Sequence, residues 1–168
     1  MGRSRKKNKV ASTAIGTTWA IEYIAEITDP PEDVFRTDKS KSITREWLVL
    51  QAFSRFIASK QAWSMPICDN LLENFMSTAQ TQLVAIGMLT DDSITEHLVE
   101  TRFEEYTGIW ARNESLPLKF VTLSGIMLAY CEIQDAEEVL HLARVFYVGY
   151  ETASEVVRAL HKRYEVVE

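Results

Sequence analysis

Glu138 and His141 form the pair whose types and spacing could hold a metal. On a helix, Glu-x-x-His turns both side chains to one face, the fragment from which di-iron and di-manganese bundles assemble their ligands. Those bundles need a second such fragment and a further Glu from each of two other helices. No second Glu-x-x-His occurs: His97 directly follows Glu96, and His161 has no acidic residue three or four positions before it. Glu138 also stands three residues after Asp135, where a capping box would use it, and His141 falls opposite the apolar positions of the same segment. A metal- or small-ligand-binding bundle is therefore the alternative reading, a solvated helix face is the main one, and no cofactor is implied.

Carboxylates come next. Glu96, Glu100 and Glu104 recur every four residues, with Glu105 beside them, so they share one edge of a helix. Paired carboxylates can serve as acid and base, but nothing in the pattern demands a raised pKa. The edge is read either as a hydrated face or as a docking edge for a basic partner, the basic N-terminal segment of the same or another copy included. There is no Gly-x-Ser-x-Gly, no Gly-rich phosphate loop, no Gly-x-Gly-x-x-Gly and no His-Glu-x-x-His. Sites assemble in space, so this does not exclude an enzyme, but it favours a module without catalysis.

Arg3, Arg5, Lys6, Lys7 and Lys9 put five basic residues within the first nine. Such an arm could contact phosphates with steep salt dependence, so nucleic acid or another anionic polymer is a partner through this tail only. No aromatic residue is interleaved and no helix-turn-helix, zinc finger or RNA-recognition signature follows. Trp63 lies in Lys60-Gln61-Ala62-Trp63-Ser64, next to a break, where it either anchors an interface or caps the end of the core. Cys68 and Cys131 lie in no Cys-x-x-Cys and no zinc spacing, and read as two buried thiols in a reducing compartment.

The elements that must position these groups are helical. Trp19, Tyr23 and Ile27, with Ile24, make an apolar face over about 13–28, ended by Asp29-Pro30-Pro31. A second helix is expected after Ser42 as N-cap, with apolar residues on more than one face from Trp47 to Ile57, so it should be central. A third runs from Pro66 to about Leu89, with Leu71, Leu72, Phe75, Ala79, Leu83 and Ile86 inward. Ser93 with Glu96 suggests a capping box for the fourth, which carries Phe103, Tyr106 and Trp110. The segment from Leu116 to Ile133 is rich in β-branched and aromatic residues, so a strand is conceivable over 119–131, but two-residue alternation is absent and a buried helix fits its length. Val139, Ala143, Phe146, Tyr150, Ala153, Val157, Leu160 and Tyr164 alternate spacings of four and three, the signature of a long helix packed along one seam. Leu140, Leu142, Tyr147 and Val156 widen that seam toward a bundle-core face.

Length and composition bound the whole. The chain has 168 residues, 46% hydrophobic and 25% charged, with 6 Gly and 4 Pro. That is enough for one core and excludes general disorder, collagen-like repeats and a loop-rich all-β chain. No run is long enough to span a bilayer, and the N-terminal basic cluster lacks the apolar stretch of a signal peptide. The net charge of −6 divides unevenly: Met1–Met65 holds 11 basic and 7 acidic residues (+4), and Pro66–Glu168 holds 7 and 17 (−10). The expectation is an all-α fold. A disordered basic tail (1–12) precedes a single helical bundle of five to six helices (13–168) with a long C-terminal helix. Functionally it reads as a cytoplasmic interaction module, self-associating as a homodimer or binding a protein partner.

Overall fold

The structure, a computed structural model, describes residues 7–28 and 40–168, without the side chains of 26–28 and 40. Among these residues the fold is all-α, with six helices: α1 (Ser12–Thr28), α2 (Ser40–Ser59), α3 (Met65–Ala85), α4 (Glu96–Trp110), α5 (Leu116–Tyr130) and α6 (Ala136–Arg163). Two short strands, β1 (Asn8–Ala11) and β2 (Tyr164–Val167), complete it.

α2 is the hub because its apolar residues do not keep to one stripe. Ile43, Leu48, Val49, Leu50, Ala52, Phe53 and Ala58 are all buried, on every side of the helix. Burying each of the larger ones is worth roughly 1.5–3 kcal/mol. α3, α4, α5 and α6 pack around it, and α1 lies along α3. The α1–α3 approach is close at Gly16, where a Cβ would fall 2.5 Å from the Leu71 carbonyl oxygen and 3.1 Å from the Phe75 nitrogen. Glycine at that position lets two helix backbones meet without a side chain between them.

α6 follows the seven-residue seam. Ala143, Phe146, Tyr150, Ala153 and Val157 are buried against α5 and α2. Asp135 caps it, its carboxylate accepting the Glu137 and Glu138 backbone N–H groups at 2.8 and 3.2 Å. His161, Lys162 and Arg163 in the last turn complement the helix dipole. The segment 119–131, where a strand was conceivable, is helix: α5 buries Phe120, Leu123, Met127 and Leu128.

Several boundaries differ from expectation for identifiable reasons. Ser42 lies inside α2 rather than capping it, because helical backbone already begins at Ser40. Ser93 does not cap α4. Its hydroxyl is engaged in the preceding turn, accepting the Thr90 N–H at 2.9 Å, and Thr95 caps instead by accepting from Leu98. α3 stops at Ala85 rather than near Leu89. Gly87 adopts a left-handed φ of +79°, and the Met88 N–H turns back onto the Leu83 carbonyl at 2.8 Å. Ile86, expected inward, is consequently exposed.

The basic segment also holds more order than expected on its inner side. Asn8–Ala11 pairs in parallel with Tyr164–Val167, Val10 opposite Val166, which ties the start of α1 to the end of α6. Val166 is buried and Val10 half-buried, so this pairing has an apolar side to bury.

Candidate functional site

α3 and α4 both pack on α2 but barely touch each other, and residues 86–95 loop between them. A groove of about 640 Å³ is left between the two helices. Its walls follow from the periodicity of α3. Leu72, Met76, Gln80 and Val84, four apart, form one row, and Asp69, Glu73, Ser77 and Thr81 form the row beside it. From the loop and α4 come Ile94, Val99, Asp91, Thr95, Glu96 and Glu100. The Gln80 amide nitrogen donates to the Asp91 carbonyl at 3.1 Å and pins the loop to α3.

The chemistry of this groove is one-sided. Its floor is Leu72, Met76, Val84, Ile94 and Val99, most of them half-buried and open to a ligand. Its rim carries five exposed carboxylates, Asp69, Glu73, Asp91, Glu96 and Glu100, and among the described residues no Lys or Arg lines it. The expected acidic edge of α4 is therefore divided. Glu96 and Glu100 face the groove, Glu104 is exposed outside it, and Glu105 turns the other way to accept a hydrogen bond from the Tyr130 hydroxyl at 2.6 Å. Sequence reasoning missed Asp69, Glu73 and Asp91. The signal was a carboxylate row on α3 one position from an apolar row.

Among the described residues the shortest ion pairs lie elsewhere. Glu46 on α2 is completely buried, and its carboxylate takes the Arg102 Nε at 2.8 Å and the Arg45 Nη2 at 2.8 Å. The Arg102 guanidinium stacks 3.2 Å over the Tyr130 ring. Burial works against that charge, but the hydrogen bond and attraction of Glu46 outweigh it and raise the guanidinium pKa. Tyr106, in the same layer, has its phenol pKa pushed far up by burial and then by the Glu46 charge. Tyr130 is raised by its bond to Glu105 and by desolvation. None of these side chains lines the groove, so the cluster joins α2, α4 and α5 rather than presenting chemistry to a ligand.

Glu138 is half-buried and His141 exposed on α6, and the Glu138 backbone N–H is taken by the Asp135 cap. Among the described residues no group of three or more His, Cys, Asp and Glu side chains is placed to hold a metal ion. Lys7 and Lys9 are exposed; the Lys7 ammonium donates to the His161 carbonyl, and Lys9 lies in β1 opposite Glu165. Arg3, Arg5 and Lys6 lie outside the described residues. Trp63 is half-buried and packs on the core, with its indole nitrogen buried, which suits a cap on the end of the bundle. Among the described residues no helix is long and apolar enough to cross a membrane.

Cys68 and Cys131 are 1% and 2% exposed. Desolvation, then the Asp69 charge, raises the Cys68 thiol pKa, and its Sγ lies 3.8 Å from the Trp63 carbonyl. The reactive thiolate is thus both scarce and shielded. Iodoacetamide should modify the two thiols of the native protein at least about a hundredfold more slowly than those of the unfolded chain, since core sites react only through openings costing several kcal/mol. Mass spectrometry of timed quenches would show it, and rapid native labelling of either cysteine would contradict the packing around it.

No family model matches this chain, and no curated protein or solved structure is significantly similar to it, so any role for the groove rests on its own residues.

Proposed function

We propose that this chain is a protein-interaction module whose α3–α4 groove receives a basic, amphipathic helix of a partner protein. The observation that carries the reading is the pairing of an apolar floor with a rim of five carboxylates and, among the described residues, no basic one. A helix laid in such a groove buries residues at i, i+3, i+4 and i+7, while Lys and Arg on its flanks reach the rim. The chain's own basic segment does not suit the floor. Between Met1 and Val10 only those two residues are large and apolar, and Val10 is already packed in β1. The partner is therefore a different chain.

The test uses a labelled synthetic helix of about four turns, with Leu at those anchor positions and Lys on both flanks. The same peptide with Glu in place of Lys serves as control. The basic peptide is expected to bind, to weaken as salt rises through the Debye range, and to lose about tenfold or more in affinity against Glu73→Lys/Glu100→Lys. Each rim pair is worth roughly 0.2–1 kcal/mol, and two attractions become repulsions. Binding that ignores peptide charge, or no binding of either peptide, would remove the reading.

A further inference from the structure

The outer face of α6 is not explained by the fold or by the groove. Leu140, Tyr147 and Val148 are 51%, 44% and 61% exposed, a large apolar share for one helix surface. Along the same strip stand Glu137, Arg144, Glu151 and Arg158, alternating in sign at seven-residue intervals. Seven residues is two helical turns, so these four share one side of α6. Seven-residue spacing also puts them too far apart to pair within their own helix. No ion pair is formed by any of them among the described residues.

We propose that this face binds a second copy of the chain, α6 against α6 in antiparallel orientation, about a two-fold axis between Tyr147 and Val148. The sign pattern selects that geometry. A parallel pair in register would set Glu137, Arg144, Glu151 and Arg158 each against its own like charge. Antiparallel pairing about this axis sets Arg144 against Glu151 of the other copy, and Glu137 against Arg158, each pair occurring twice by symmetry. Tyr147 meets Val148 at the centre, and Leu140 lies along the aliphatic stem of Glu155. A two-fold contact must be self-complementary, and this strip is. The apolar centre supplies attraction, while the charges set orientation and register, as flanking charges do in paired helices. The groove between α3 and α4 takes no part, so the contact is independent of the proposed ligand.

Sedimentation velocity over a concentration series up to about 100 μM reads the outcome, a range chosen for a small interface of modest affinity. The wild-type protein should show a monomer–dimer equilibrium. Arg144→Glu alone and Glu151→Arg alone should each weaken dimerisation by about tenfold or more, because each puts like charges together at two symmetry-related places. Mixing the two variants should restore dimer. The copy carrying Arg144→Glu is then acidic at both positions, the copy carrying Glu151→Arg is basic at both, and every facing pair is again of opposite sign. This rescue cannot come from a folding defect, which a mixture would not repair. A wild-type monomer at the highest concentration, dimerisation unchanged in the single variants, or a mixture no better than its components would each overturn the proposal.

Discussion

Replacing Glu46 by Ala is expected to destabilise the fold by about 3–5 kcal/mol, a large part of the stability of an ordinary domain. The carboxylate is fully buried, and it accepts from Arg102 on α4 and from Arg45 on its own helix. Removing it leaves the Arg102 guanidinium, only 11% exposed, beside Tyr106 and Tyr130 with no counter-charge among the described residues. The remaining contact, the 3.2 Å stack on Tyr130, attracts a cation but does not neutralise it. Glu46→Gln keeps an acceptor and should lose less. Glu46→Leu combined with Arg102→Met should cost less than the two single changes added together, since the pair's value lies mostly in not stranding its partner. Equilibrium urea unfolding followed by tryptophan fluorescence measures each of these proteins. A loss below about 1 kcal/mol for Glu46→Ala would mean that Arg102 finds water instead.

This cluster marks the limit of what could be read without coordinates. Glu46 sits among Trp47, Leu48, Val49 and Leu50, and its neighbours suggest burial, but its main partner lies 56 positions away. Linear patterns report period, and they carry no information on which distant residue closes a charge. Where the signal is local and repeated, sequence and structure agree: the seam of α6, the Asp135 cap and the encirclement of α2 all follow from spacing within one helix. Where two local signals compete, tertiary structure decides. Ser93 and Thr95 both precede Glu96, and only the turn at Thr90 shows why Ser93 is occupied. The strand Asn8–Ala11 was illegible because its partner, Tyr164–Val167, comes from the other end of the chain.

The groove was half legible. Glu96 and Glu100 announced an acidic edge on one helix, but a rim needs a second wall, and Asp69 and Glu73 could be placed opposite them only once α3 and α4 were seen splayed on α2. The surface of the molecule thus separates into two regions of different logic. The α3–α4 groove carries one sign of charge around apolar ground, which suits the basic helix proposed for it. The outer face of α6 alternates its signs and can satisfy itself by two-fold symmetry. A module with both could hold its ligand once per copy and twice per dimer, which raises the apparent affinity for any partner that repeats its helix.

Phe120→Ala is the second large change expected, again about 3–5 kcal/mol. Phe120 is 1% exposed and lies where α5 meets α6 and the end of α4. Its ring stands edge-on to Trp110, Phe146 and Tyr147 at centroid distances of 5.8, 5.0 and 5.4 Å, and tilted to Tyr150 at 5.6 Å. Truncation removes the apolar area, leaves a cavity bounded by rings that cannot easily collapse, and forfeits edge-to-face contacts worth roughly 0.5–1.5 kcal/mol each. Phe120→Leu fills most of the space without the ring contacts and should cost less than half as much. Because Tyr147 is both a neighbour of Phe120 and the centre of the proposed α6 contact, the truncation also tests whether that contact needs a rigid helix. If α6 loosens, near-ultraviolet circular dichroism falls while far-ultraviolet helix signal stays, and dimerisation weakens with it. An unchanged near-ultraviolet spectrum and a small loss of stability would place the anchor of α6 elsewhere along its seam.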